Sequence, residues 1–115
     1  NPKPYVQPTT PVKQVIMEIT RNRLGAAAVL DESGKITGIV TDGDLRRMLE
    51  RSESMDVLTA KDIMSSAPKS ITSDALAVEA LELMRSKNIS QLLVTDHEQY
   101  AGIIHLHDLI REGII

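Results

Sequence analysis

The sequence predicts an α/β (α+β) fold in which a strand–helix–strand–strand–helix unit occurs twice in 115 residues. Three observations predict it. The chain repeats itself at a fixed spacing, helical periodicities alternate with short apolar runs, and each copy ends in the same acidic strand-to-helix junction. Copies of roughly 50 residues are too small to bury a good core alone, so the two are expected to pack on each other.

The repeat comes first. Pro11-Val12-Lys13-Gln14-Val15-Ile16 reads like Leu76-Ala77-Val78-Glu79-Ala80-Leu81, 65 positions later. Leu24 to Asp31 reads like Ile89 to Asp96 at the same offset. After one deletion in a loop the offset is 64, and Gly38-Ile39-Val40 matches Gly102-Ile103-Ile104, as Asp44-Leu45 matches Asp108-Leu109. Residues 1–52 form the first repeat, 53–65 a linker and 66–115 the second repeat.

Each element follows from its period. Val6 and Ile71 mark short extended segments ahead of the first helix of each copy. Val12, Val15, Ile16 and Ile19 fall at i, i+3, i+4 and i+7, an amphipathic helix. Thr10 is placed to cap it, with Pro11 at the first helical position. Ala77, Ala80, Leu81 and Met84 repeat the stripe. Ala26 to Leu30 and Gln91 to Val94 are buried strands, and Asp31-Glu32-Ser33-Gly34-Lys35 is turn chemistry. Ile36 to Val40 and Tyr100 to Ile104 return as strands. Leu45, Met48 and Leu49, then Leu106, Leu109 and Ile110, mark closing helices. In the linker, Thr59-Ala60-Lys61-Asp62 reads as a capped helical turn. Met17, Met48, Met64 and Met84 lie on or beside apolar stripes and are read as core filling.

Composition excludes several functions. Thirteen basic against 16 acidic residues give a net charge of −3, which is wrong for a basic nucleic-acid binder. Only Tyr5 and Tyr100 are aromatic, too few for a base-stacking platform. Without Cys there is neither a disulfide framework nor a thiolate metal site. No apolar run approaches the ~20 residues that span a bilayer, and no signal peptide is visible, so a cytoplasmic protein is expected. The chain begins at Asn1 rather than Met, which suggests a piece of something longer.

The chemistry-bearing stretch is Gly38-Ile39-Val40-Thr41-Asp42-Gly43-Asp44, joining a buried strand to a helix. Such junctions expose backbone N–H groups at a sheet end, where ligands dock. Asp44 could accept both hydroxyls of a ribose diol, with Thr41 on the same rim. Thr-x-x-Asp is equally a helix capping box, and the two roles can coexist. The second copy reads Gly102-Ile103-Ile104-His105-Leu106-His107-Asp108. His is a poorer cap than Thr, although Asp108 keeps its favourable place in the first turn. His105 is a candidate pH-dependent ligand contact. His105 and His107 would share one face if they lay on a strand. Asp108 and His97 are the only nearby groups that could complete a metal site with them, and polar rim residues are preferred to metal ligands. Arg46 and Arg47, like Arg21 and Arg23, suit bidentate phosphate recognition but read equally as solvated helix faces. Ala26-Ala27-Ala28 reads as core packing whose small side chains could also leave room for a base. No nucleophile–base set, GxGxxG or P-loop motif is present, and nothing points to a cofactor.

The repeat, its order of elements and the motif Gly38-x-x-Thr41-x-x-Asp44 together resemble a tandem pair of CBS (cystathionine β-synthase) domains, over essentially all 115 residues. The resemblance implies a pseudo-two-fold disc with two clefts between the halves. In that family the Thr and Asp commonly hold a nucleotide's ribose or phosphate, which points to Thr41 and Asp44 in one cleft. In the other cleft Asp108 matches, while His105 replaces the Thr or Ser. Thr41-Asp42-Gly43-Asp44-Leu45-Arg46-Arg47, Ile104 to Ile110 and the Leu58–Met64 linker are similar to the C-terminal CBS pair of the D-arabinose 5-phosphate isomerase family. That narrower resemblance implies an upstream sugar isomerase domain and a role in making Kdo, a lipopolysaccharide sugar. It implies that this piece senses a nucleotide or nucleotide-sugar such as CMP-Kdo, with Arg46 or Arg47 meeting its anionic groups. A non-sensing assembly module and a CBS pair from another enzyme or transporter are the alternatives. A homodimer is expected, because Leu45, Leu49, Leu109 and Ile110 are not all expected to be covered within one chain.

Overall fold

The computed structural model describes residues 3–51 and 54–113. The boundary at residues 52 and 53 and the last two residues lie outside the described residues. The first repeat contains β1 (Tyr5–Val6), α1 (Val12–Arg21), β2 (Ala26–Leu30), β3 (Ile36–Thr41) and α2 (Asp42–Glu50). Between the repeats come a 3-10 turn (Met55–Val57) and the short helix α3 (Ala60–Ile63). The second repeat contains β4 (Ser70–Thr72), α4 (Ala77–Lys87), β5 (Gln91–Asp96), β6 (Gln99–His105) and α5 (Leu106–Arg111). Each repeat builds one three-stranded sheet, ordered β1-β2-β3 and β4-β5-β6. In both, the first pair is parallel and the second antiparallel. The predicted order of strands and helices is therefore the observed one, used twice.

The β2 strand shows why small residues sit where they do. Successive side chains alternate between sheet faces. Ala27 and Val29 join Val12, Val15, Ile19 and Met48 under the helices. Ala26 and Ala28 face the other way, where they meet Leu93, Tyr100 and Ile103 of the second sheet. Methyl side chains let the two sheets approach, and this shared cluster is the seam of the molecule. Tyr100 seals it: its buried hydroxyl donates to the Pro4 carbonyl over 2.7 Å. Burial, with Glu18 adding to it, pushes the phenol well above its ordinary pKa, so it remains a donor.

Local signals resolve in detail. Asp31 Oδ1 accepts from the Ser33 and Lys35 N–H groups and the Ser33 hydroxyl, closing the β2–β3 turn, and Gly34 supplies the positive φ there. Asn88 ends α4 in the left-handed conformation. Two expectations are corrected. Pro11 occupies the N-cap position rather than the first turn of α1, and the Thr10 hydroxyl accepts from Gln7 N–H instead of the helix. Thr10 thereby fixes the turn that leads in from β1. Met17 is 61% exposed, because it sits off the stripe formed by Val12, Val15 and Ile19; Met48 and Met84 do fill cores.

The segment between the repeats is built into the first one. Leu58, Ala60 and Ile63 are buried in the same cluster as Val6, Val12, Val29 and Val40. Val12 N–H donates to Leu58 O, and Ala60 N–H to Thr10 O. The predicted capped turn is present: Asp62 accepts from Thr59 N–H over 2.8 Å. Ser65 then pairs antiparallel with Ile39 on the outer edge of β3, exchanging both backbone bonds.

Candidate functional site

Both acidic junctions cap a helix that leaves a strand. At the first, Thr41 is the N-cap of α2 and its hydroxyl faces Asp44 N–H, 3.4 Å away. The Asp44 carboxylate turns back over the cap. Its Oδ2 accepts from Thr41 N–H at 2.9 Å and the Thr41 hydroxyl at 3.2 Å. Its Oδ1 accepts from Arg47 Nη2 at 2.6 Å and the Ser65 hydroxyl at 3.1 Å. Four donors fill the roughly four acceptor positions of a carboxylate, and Asp44 is only 5% exposed. Beside it lies an open pocket of about 560 Å³ formed with Arg47, Arg51, Asp62 and Ser65. Arg46, expected beside this site, is exposed on α2 and lines neither this pocket nor the larger cleft described next. Ser65 was not legible as a partner of Asp44, since nothing in the linker's pattern tells which edge it will pair with.

The second junction uses different chemistry. His105 is the last residue of β6 and the N-cap of α5. Its Nδ1 accepts from His107 N–H at 3.0 Å, while Asp108 Oδ2 accepts from His105 N–H at 2.9 Å. So His105, by residue preference a poorer cap than Thr, does serve as one here, because a neutral imidazole nitrogen is an acceptor. The two rings meet across the strand–helix junction, with centroids 4.3 Å apart, rather than along one strand face. His97 lies in the β5–β6 turn, at the opposite end of β6, so it does not converge with them. Among the described residues no cluster of three metal-ligating side chains forms.

Asp108 has spare capacity that Asp44 lacks. Its second oxygen accepts from Arg111 at 3.2 Å, and its side chain is 33% exposed. It opens onto a cleft of about 1000 Å³. Arg21 and Arg23 of the first repeat reach the same cleft, whose floor includes Ile71, Ala77 and Ile104. Arg21 pairs with Glu18, whereas Arg23 forms no ion pair among the described residues. A partly exposed carboxylate, arginines and an apolar floor thus meet at the second junction.

Burial lowers the His105 pKa, and neighbouring His107 lowers it further, against the opposing pull of Asp108 and Asp42. A histidine depressed in the folded state binds more protons when unfolded. Its contribution is complete above the unfolded value of about 6.5 and is lost as pH falls through that value toward the lower folded one. Protonation also removes the Nδ1 lone pair that holds His107 N–H. The melting temperature of the wild type should therefore drop more between pH 7.5 and 5.5 than that of His105→Thr. Parallel pH profiles would show that His105 does not carry this dependence.

Comparison with known proteins agrees with this architecture. The CBS domain family matches residues 1–51 and 60–114. Arabinose 5-phosphate isomerase of Salmonella typhi is 41% identical over 112 residues, which cover 97% of this chain and 34% of that protein. The Pseudomonas aeruginosa enzyme of the same name is 40% identical over 113 residues, covering 97% and 35%. The chain thus spans about a third of the length of these relatives. Among solved structures, a CBS domain protein from Pyrobaculum aerophilum complexed with AMP superposes with a TM-score of 0.86 at 24% identity, covering 100% of this chain and 90% of that one. A putative signal-transduction protein with CBS domains from Burkholderia ambifaria gives 0.83 at 26% identity, covering 96% and 81%. Two matched halves, two equivalent sheets and two capped acidic junctions make the chain a tandem pair in the CBS domain family.

Proposed function

We propose that this chain is the ligand-sensing CBS pair of a cytoplasmic arabinose 5-phosphate isomerase in Kdo and lipopolysaccharide synthesis. Its ligand is a nucleotide or nucleotide-sugar, bound at the second junction. The observation that carries this is the half-filled Asp108 carboxylate at the mouth of the cleft of about 1000 Å³. The Asp108 oxygens accept ribose hydroxyls, and Arg21 and Arg23 face the anionic groups. His105 holds the cap beside them. The AMP complex of the Pyrobaculum relative supports the ligand class, and CMP-Kdo is the nucleotide-sugar proposed within it. The smaller pocket at Thr41, Asp44 and Arg47 is secondary, because a ligand there must displace Ser65 or Arg47 before it can use Asp44. The isomerase reaction itself belongs to an upstream sugar isomerase domain.

Calorimetric titration with AMP, ATP and CMP-Kdo tests this reading. A charge-assisted hydrogen bond contributes about 1.5–3 kcal/mol, so Asp108→Asn should weaken the binding ligand by about 10- to 100-fold. Asp44→Asn should leave that affinity in place. Binding unaffected by Asp108→Asn, or no binding of any of the three, would overturn the assignment.

Self-association is the second part of the proposal. Leu49 on α2 is 67% exposed and Ile110 on α5 is 49% exposed, so the closing helices keep apolar positions that one chain does not cover. We expect a homodimer, the commonest closed arrangement. Sedimentation equilibrium at high protein concentration should give twice the 12.7 kDa chain mass, and a monomer there would remove the idea.

A further inference from the structure

The two repeats are not equally covered. Val6, Val12, Val29 and Val40 are all buried in the first repeat. Their counterparts at the repeat spacing are Ile71, Ala77, Val94 and Ile104, and every one of these is partly exposed and lines the large cleft. The difference has a visible cause. In the first repeat the segment running into β4 lays Leu58, Ala60 and Ile63 over this floor. It is fixed by the bond from Val12 N–H to Leu58 O and by the pairing of Ser65 with Ile39. In the second repeat, among the described residues, nothing pairs with the outer edge of β6 at Ile103, the counterpart of Ile39.

The internal symmetry says what belongs there. The segment that fills the first floor is the one that immediately precedes the first strand of the second repeat. Its symmetry mate is the polypeptide that immediately precedes β1. The lead-in to β1 already lies against the second repeat: the Tyr100 hydroxyl holds Pro4 O, and Lys3 Nζ stands 6.0 Å from the Tyr100 ring centre. The isomerase relatives are about three times as long as the matched region, and the inference rests on the proposal above that the additional polypeptide lies upstream.

We propose that the apolar floor of the second cleft is the seat of a segment lying N-terminal to residue 1 in a longer chain, docked as residues 58–65 dock on the first repeat. The large cleft is then a composite, part protein seat and part ligand rim. Seating a segment does not close the rim, since a pocket of about 560 Å³ survives beside Asp44 where the first floor is filled. The inference rests on the repeat and not on which ligand binds.

Hydrogen exchange on the 115-residue chain and on a chain that carries the upstream polypeptide tests it. Amides at Ala77, counterpart of the bonded Val12, and at Ile103 should exchange at least 10-fold more slowly in the longer chain, while those at Val12 and Ile39 stay unchanged. Ala77→Glu, which puts a charge on the floor, should abolish the added protection without unfolding either chain. Equal rates in the two chains, or protection that Ala77→Glu leaves intact, would overturn the proposal. So would protection in the 115-residue chain that grows with protein concentration, because a second copy would then be the occupant.

Discussion

Asp44→Ala should cost about 3 kcal/mol and lower the melting temperature by about 10 °C, without any ligand present. The carboxylate takes hydrogen bonds from Thr41 N–H, the Thr41 and Ser65 hydroxyls and Arg47. Losing a helix cap alone costs about 1 kcal/mol. The rest comes from leaving the half-buried Thr41 N–H without its acceptor, whereas the exposed Ser65 and the mostly exposed Arg47 can turn to water and lose little. Asp44→Asn should lie between, since an amide oxygen can still accept from Thr41 N–H while its NH₂ faces donors. Denaturant unfolding of the three proteins decides the matter. Equal midpoints for wild type and Asp44→Ala would mean that these bonds are matched by water in the variant. Because Asp44 ties α2 to the inter-repeat segment, its stability effect should be non-additive with that of Ser65→Ala.

Gly38→Ala should cost about 2 kcal/mol for a different reason, overpacking against backbone. A Cβ at Gly38 would lie 2.7 Å from the Ser65 carbonyl oxygen and 2.6 Å from Met64 Sδ. The thioether can swing away, but Ser65 O is held by Ile39 N–H at 3.0 Å. The edge segment must therefore lift from β3, and the Ser65–Asp44 bond goes with it. Gly34→Ala is the contrast, with a φ of 85° but nothing within 4 Å, so it should cost only about 1 kcal/mol through backbone strain. Faster hydrogen exchange at Ile39 should accompany Gly38→Ala and not Gly34→Ala. If the two variants lose the same stability and Ile39 keeps its protection, the close approach is not what Gly38 serves.

The architecture was legible because it depends on which residues turn inward. The stripe Val12, Val15, Ile19 and the run Ala26 to Leu30 specify a helix and a buried strand whatever covers them, and the repeat gives each inference a second copy. Partners are another matter. Leu58, Ala60 and Ile63 announce a buried face in their own segment but carry no mark of the floor they cover. Thr10 has the chemistry of a cap and uses it on Gln7 instead, since two nearby N–H groups compete for one hydroxyl. Of the candidate site, the box at Thr41 and Asp44 was readable from spacing, and so was the place of Asp108. That Asp44 is saturated and Asp108 is not depends on two donors: the Thr41 hydroxyl, whose replacement by His105 is visible in the repeat, and Ser65, 21 residues further along the chain from Asp44, which local pattern cannot reach.

The β6 strand links two places that matter. At one end His105 caps α5 at the cleft mouth; at the other Tyr100 grips the Pro4 carbonyl. Five residue steps of extended chain put these ends about 17 Å apart. The strand pairs with β5 from Gln99 to His105, with one register shift opposite Val94 and Thr95 that leaves Ala101 as the extra residue. A single backbone strand thus joins the mouth of the cleft to the point where the Pro4 carbonyl is held.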